Sequence, residues 1–332
     1  MLKLNTPHGL SVSVPETEIE DVSEKYSISE LEDAKAYYES NGYVVFKNVI
    51  PSVDCDEAMR LWELEVKSST KYLYRQATAK AETNKFNNSG WVMNPILNLQ
   101  SLNPKYFKQL RTHTVERILT SESLVSILKF IINDAPKIVQ SMYFEGNSAT
   151  WEHQDSYYLD SENIGKMVAC WIALEDITAA AGRFFVCPGS HKLNLGLQNI
   201  ETNIADNHDV YINSVVEEIK RQKLEIRPPK LDKGDLLLWN SWTIHGSLNS
   251  QDQKRSRSSI TCHVIPASDK FLQLQSRSWM PETDDLNGVK VWRPKDQAKI
   301  KNKVAMSIES NFPTIFHWIK RAAVKQLIRN AS

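Results

Sequence analysis

His153 and Asp155 stand two residues apart in Trp151-Glu152-His153-Gln154-Asp155-Ser156-Tyr157-Tyr158, just after a run that reads as a β-strand. In extended backbone, residues i and i+2 point to the same face. An imidazole nitrogen and a carboxylate oxygen can therefore aim at one point. That is two-thirds of the two-His, one-carboxylate set that holds non-haem Fe(II) and leaves coordination positions open. A lone His-x-Asp is weak evidence, because a solvated turn produces it as readily. Its company downstream decides.

His245 supplies a third donor. It ends the run Trp239-Asn240-Ser241-Trp242-Thr243-Ile244, ninety residues after Asp155. Long separation is what a barrel needs when its early and late strands meet at one mouth. A lone histidine at a strand end is more often a satisfied core residue. Gly246 directly after it permits close backbone approach. Twelve residues further on, Arg257 opens Arg257-Ser258-Ser259-Ile260-Thr261-Cys262-His263-Val264. An arginine forms a two-pronged fork to a carboxylate, so Arg257 can anchor the far end of a dicarboxylate. Arg255 competes for that role, and the bland reading is a solvated basic turn.

These donors need strands to position them. Short apolar runs at Ile138–Phe144, Trp151–Tyr157, Met167–Leu174, Arg183–Val186, Leu224–Ile226, Leu236–Trp239, Thr243–His245 and Ser258–Ile265 are separated by turn residues. About eight such runs over some 130 residues predict a β-sandwich or barrel rather than alternating strand–helix units. Ahead of them lie a helix from a Ser29/Glu32 capping box to Asn41-Gly42, a strand over Tyr43–Ile50, and a helix from Pro51 to about Lys67. Residues 114–132 carry apolar side chains at helical spacing. Residues 1–27 read as an irregular arm. A polar, partly helical insertion is expected over 193–222, and the tail after Pro266 shows no clear β pattern. Asn84–Gly90 marks a loop. Residues 83–99 are either surface loop or a lid that brings Trp91 over a pocket.

The sequence resembles the phytanoyl-CoA dioxygenase family of Fe(II)/2-oxoglutarate oxygenases over roughly residues 34–266. The likeness rests on Tyr37–Phe46, His153-Gln154-Asp155, Trp171–Asp176, Gly182, Pro188-Gly189-Ser190-His191-Lys192, His245-Gly246-Ser247 and Arg257. The resemblance implies a mainly β fold with helices: a double-stranded β-helix, jelly-roll or cupin-like, spanning 28–270. It implies His153, Asp155 and His245 as iron ligands and catalytic residues. Arg257 would hold the distal carboxylate of 2-oxoglutarate with Ser247 as hydroxyl partner, and Trp171 and Gln140 would line the co-substrate pocket. Gln154 points away from the ligands and would border the substrate entrance. His191 reads as a turn-stabilising residue, and His263 is assigned no ligand role. Relatives that transfer halogen lack the ligand carboxylate, so Asp155 favours hydroxylation or another hydrogen-abstraction outcome over halogenation.

The expected cofactors are Fe(II), 2-oxoglutarate and O2, and the expected reaction hydroxylates an aliphatic C–H of a small molecule. Desaturation, cyclisation or epimerisation begins with the same hydrogen abstraction and stays open. So does a non-catalytic metal-binding β-barrel, which would not need Arg257. The chain has 332 residues, 41% hydrophobic and 24% charged, with forty basic and forty acidic side chains. Those values suit a soluble globular core, and zero net charge argues against nucleic acid. No signal peptide or membrane span is evident. Four scattered cysteines suggest buried reduced thiols and a cytoplasmic setting. The extension 271–332 is basic, with ten Lys/Arg from Lys290 to Arg329 against Asp296 and Glu309. Phe316, Ile319, Ala323 and Leu327 recur at helical spacing. This is either a terminal helix docked on the domain or a surface helix meeting anionic lipid or an acidic substrate.

Overall fold

In the computed structural model, the described residues are 1–332 except 147, 194–207, 276, 317, 320 and 323–332. A large sheet is built from Thr283–Leu286, Val289–Trp292, Pro136–Phe144, Ser259–Pro266, Val168–Ala173, Leu236–Asn240, Tyr43–Phe46 and Lys25–Tyr26, in that spatial order. Ile96–Leu97 adds to the free side of Pro136–Phe144. A small antiparallel sheet runs Phe184–Val186, His245–Ser247, Thr150–His153.

Side-chain alternation sorts the large sheet into two faces. Val44, Phe46, Cys170, Ile172, Leu236, Leu238, Ile260, Cys262 and Val264 face one cluster. There they pack against helices Leu31–Asn41, Ser52–Leu61 and Glu122–Ile132. Their sequence neighbours Tyr43, Val45, Trp171, Leu237 and Trp239 form a second cluster on the opposite face. That opposite face and the small sheet line one cavity. All four cysteines are buried free thiols.

The local reasons are legible. The first helix stops where Gly42 takes φ 77°, a left-handed conformation that suits glycine, and its N–H donates to the Tyr38 carbonyl at 2.7 Å. Its start differs from expectation. The helix begins at Leu31, and no Ser29–Glu32 box forms. Instead the N–H and hydroxyl of Ser27 both donate to Glu30 Oε2, at 2.7 and 2.8 Å. The second helix widens into π turns at Trp62–Lys67. The expected 114–132 helix is two pieces, π-helical His113–Leu119 and α-helical Glu122–Ile132, broken where the Thr120 hydroxyl takes the Val115 carbonyl at 3.0 Å.

Three expectations are corrected. The N-terminal arm is not irregular: Leu2–Asn5 pairs with Ser11–Val14, burying Leu4, Val12 and Val14. Leu224–Ile226 forms no strand; only Arg227 bridges to Val186. The tail after Pro266 carries four strands, of which Val289–Trp292 joins the large sheet parallel to Pro136–Phe144. Within the expected insertion, His208–Gln222 is an α-helix, and 194–207 lie outside the described residues. The predicted tail positions Ala323 and Leu327 also lie outside them.

Candidate active site

His153 and His245 are cross-strand partners in the small sheet. That pairing brings their rings to 4.2 Å between centroids. Gly246 is what lets the strands close. A Cβ there would stand 2.7 Å from the Thr150 carbonyl and 2.8 Å from the Phe185 ring, inside contact distance. A second clamp sits upstream. The Ser190 hydroxyl of the Pro188–His191 turn donates to the Cys187 carbonyl at 2.6 Å and accepts the Ile244 N–H at 2.8 Å. This fixes the residue before His245. His191 is remote from the cavity, with Nε2 3.1 Å from the Glu39 carbonyl.

The strand carrying His153 ends there, but Gln154 keeps extended dihedrals of −112° and 136°. Asp155 therefore falls on the same side as His153. Its Oδ1 lies 3.6 Å from His153 Nε2 and 3.5 Å from His245 Nε2. One donor atom from each of the three residues lies within 4.8 Å of the others.

Hydrogen bonds set the proton positions. His153 Nδ1 lies 2.8 Å from the Trp151 carbonyl, and His245 Nδ1 lies 2.9 Å from the Thr243 carbonyl. A carbonyl only accepts, so each Nδ1 bears the hydrogen and each Nε2 presents a lone pair to the common point. Burial, then the neighbouring His245, pushes the His153 pKa down, which keeps it neutral and able to ligate. Burial alone would raise the Asp155 carboxyl. His245, His263 and His153 outweigh it and hold the group well below the usual carboxylate range. Two imidazoles and one carboxylate, with the rest of the cavity open, is a donor set suited to Fe(II).

The cavity, about 530 Å³, is lined by the three donors and by Gln140, Trp171, Ser247 and Arg257. Arg257 is 3% exposed. Its guanidinium donates to the backbone carbonyls of Gly182 and of Ser148, the latter at 2.7 Å. No carboxylate pairs with it among the described residues, and burial alone lowers its pKa to about 10. Its competitor Arg255 is a surface residue paired with Asp252. The Ser247 hydroxyl accepts the Thr150 N–H at 2.8 Å and keeps its own hydrogen for another acceptor. Two further buried groups face this space: Thr261 Oγ1 and His263 Nδ1 have no hydrogen-bond partner, while His263 Nε2 lies 3.3 Å from Asp155 Oδ2. A buried cation beside orphaned polar atoms fits an anionic, oxygen-rich small molecule such as 2-oxoglutarate.

Two expected substrate residues fall elsewhere. Gln154 does point away from the ligands, but that side is packed protein. Its Nε2 donates to the Trp242 carbonyl at 2.5 Å, and Tyr211 of helix His208–Gln222 bonds its backbone, so it does not border an entrance. Trp91 does not line the cavity. Its indole N–H donates to the Lys254 carbonyl at 3.2 Å and Lys67 covers its ring. The turn Gln76, Ala77 and Ala79 and Leu97 form that wall instead. Sequence reasoning did not place Thr261, Tyr158 or His208 in the cavity, which they line, and His263, given no ligand role, lines it too. Thr261 and His263 had a signal: they share strand parity with Arg257. Tyr158 and His208, whose side chains meet at 2.7 Å, had none.

A family model described as phytanoyl-CoA dioxygenase matches residues 38–258. The human peroxisomal phytanoyl-CoA dioxygenase is 23% identical over 271 residues, covering 74% of this chain and 71% of that protein. A Caenorhabditis elegans phytanoyl-CoA dioxygenase domain-containing protein 1 homolog is 24% identical over 180 residues, 52% of this chain and 60% of its own. This chain thus spans about three-fifths of the length of some of its curated relatives. Among solved structures, the epimerase SnoN in complex with Fe3+, alpha ketoglutarate and nogalamycin RO superposes with a TM-score of 0.56 at 15% identity, covering 79% of this chain and 98% of that one. EctD from S. alaskensis with 2-oxoglutarate and 5-hydroxyectoine gives 0.52 at 15% identity, covering 77% and 86%. At that identity the likeness is one of fold.

Proposed function

The chain belongs to the phytanoyl-CoA dioxygenase family, and from that premise we propose that it is an Fe(II)/2-oxoglutarate-dependent oxygenase hydroxylating an aliphatic C–H bond of a small molecule. The observation that carries this reading is the unneutralised, buried Arg257 in the same cavity as the three-donor cluster. A metal-binding barrel without oxygenase activity has no use for a desolvated cation there, since burying a charge without a partner is costly. The two sheets enclosing the cavity are read as a double-stranded β-helix.

His153, Asp155 and His245 would hold the metal, and Arg257 with Ser247 would hold the distal carboxylate of 2-oxoglutarate. When bound, Fe(II) and 2-oxoglutarate supply oxidative decarboxylation with O2, giving succinate, CO2 and the power to break a C–H bond. The chain's own work is orientation and seclusion. The Nδ1 hydrogens of both imidazoles are tied to backbone carbonyls, so neither ring rotates away from the metal. Trp171 and Gln140 line the same wall as the anchor. Asp155 would fill the ligand position that a halide would need, which disfavours halogenation and leaves hydroxylation or another hydrogen-abstraction outcome.

Arg257 is the only Lys or Arg lining the cavity among the described residues, while Met142, Phe144, Trp151, Tyr158 and Leu159 supply apolar and aromatic surface. The reacting portion of the substrate is therefore uncharged. The test is succinate release with Fe(II), 2-oxoglutarate and a panel of neutral amphiphilic substrates, read by mass. Gain of one oxygen atom supports hydroxylation; loss of two hydrogens or unchanged mass with inverted configuration assigns desaturation or epimerisation. Undiminished turnover by Asp155→Ala would overturn the site assignment.

A further inference from the structure

The C-terminal helix Ile300–Asn311 is held to the domain along one side. Glu309 is 1% exposed, and its carboxylate accepts the Ala81 N–H at 3.1 Å. The other side carries Ile300, Val304 and Ile308, which are 78, 53 and 47% exposed and recur every fourth residue along one face. Phe312, Ile315, Trp318 and Ile319 follow at 61, 61, 73 and 56%. Seven large apolar side chains are thus exposed within twenty residues, three of them along one face of this helix. Charge is as one-sided. From residue 297 onward the sequence has seven Lys/Arg against one acid, Glu309, which is buried.

We propose that this face lies on an anionic membrane surface. The apolar side chains and Trp318 enter the headgroup–acyl boundary, and the exposed Lys299, Lys301, Lys303 and Arg321 meet acidic headgroups. The charge pattern selects this occupant over a second copy of the chain, because protein interfaces are depleted of lysine, whereas interfacial helices combine an apolar stripe with Lys and Arg. No helix among the described residues is long and apolar enough to cross a membrane, so the helix lies on the surface. Ala81, the residue gripped by Glu309, belongs to the hairpin Leu73–Tyr74/Ala81–Glu82, and the turn of that hairpin lines the cavity at Gln76, Ala77 and Ala79. Docking thus connects the membrane to a wall of the substrate cavity. The inference does not depend on the oxygenase reading.

The test is sedimentation of the full chain with phosphatidylcholine vesicles, with and without phosphatidylglycerol. Binding to the anionic vesicles and not to the neutral ones is expected, with release at about 0.5 M salt, where screening shortens to a few ångströms. The triple variant Val304→Asp, Ile308→Asp, Trp318→Asp should bind at least about tenfold more weakly, and so should Lys301→Glu with Lys303→Glu, each basic residue near such a surface being worth roughly fivefold. Unchanged melting temperature reports that each variant is folded. Equal binding to neutral and anionic vesicles, no binding to either, or undiminished binding by both variants overturns the proposal. So does lipid-free self-association in sedimentation velocity that the triple variant abolishes, which would assign the face to a second copy.

Discussion

The indole N–H of Trp239 donates to Oδ2 of Asp155 at 2.9 Å, which leaves Oδ1 facing Nε2 of both His153 and His245. The carboxylate is divided: one oxygen is fixed by the large sheet and the other is offered to the metal point. Such supporting bonds orient ligands and commonly govern affinity by ten- to a hundredfold. Trp239→Phe keeps most of the apolar bulk and removes the donor. Iron affinity should fall by about tenfold, measured by competition with a chelator. Unchanged affinity would mean the indole only fills space.

Arg257 predicts how the co-substrate binds. With Fe(II) or Mn(II) present, 2-oxoglutarate should raise the melting temperature of the parent protein and not of Arg257→Gln. A charge-assisted fork is lost, so affinity should drop by about tenfold to a hundredfold. Arg257→Lys should recover little, because one ammonium cannot replace the fork or keep both carbonyl contacts, to Gly182 and Ser148. If Arg257→Gln retains the thermal response, the dicarboxylate is anchored elsewhere.

Asp160 gives a pH dependence away from the metal. Its carboxylate accepts backbone N–H groups of Ser161, Gly165 and Met167 and the Ser241 hydroxyl. Burial nonetheless outweighs these and raises its pKa from 3.8 to about 6. The folded chain therefore binds this proton more tightly than the unfolded chain does. Between about pH 4 and 6 the folded state holds more protons, so this group's contribution to stability falls as pH rises through that window and levels off above it. Relative to metal-free Asp160→Asn, the melting temperature of the metal-free parent should fall as pH rises from about 4 to 6 and hold steady above that. Parallel profiles would rule the shift out.

Gly246 predicts a coupled defect. Gly246→Ala forces a methyl within 2.7 Å of the Thr150 carbonyl. Overpacking of this kind costs about 1–3 kcal/mol, and it separates the strands that bear His153 and His245. Chemical denaturation should show the loss in stability, and metal titration a loss of affinity in the same variant. A variant of parental stability and parental iron affinity would show that the strands have room.

Much of the large sheet was legible because its strands are long apolar runs with turn residues between them. Pro136–Phe144, Val168–Ala173, Leu236–Asn240 and Ser259–Pro266 fall within one or two residues of expectation. The paired strands of the N-terminal arm and the four strands after Pro266 were not, because each is at most four residues long and several are polar. Runs that short carry too little alternation to read; they are strands because a partner was available.

What the sequence determined by itself is the local stereochemistry: which donor types occur, that His153 and Asp155 share a side through an extended Gln154, and that glycine follows His245. Tertiary structure alone decided that His245 pairs with His153 from 92 positions away, that Arg257 is desolvated while Arg255 is not, and that helix His208–Gln222 covers Gln154. The division has one cause. Backbone direction and side-chain parity are fixed by neighbours in the chain, whereas burial and cross-strand pairing are sums over distant segments, so the environment that a candidate ligand or a candidate anchor requires exists only once those segments meet.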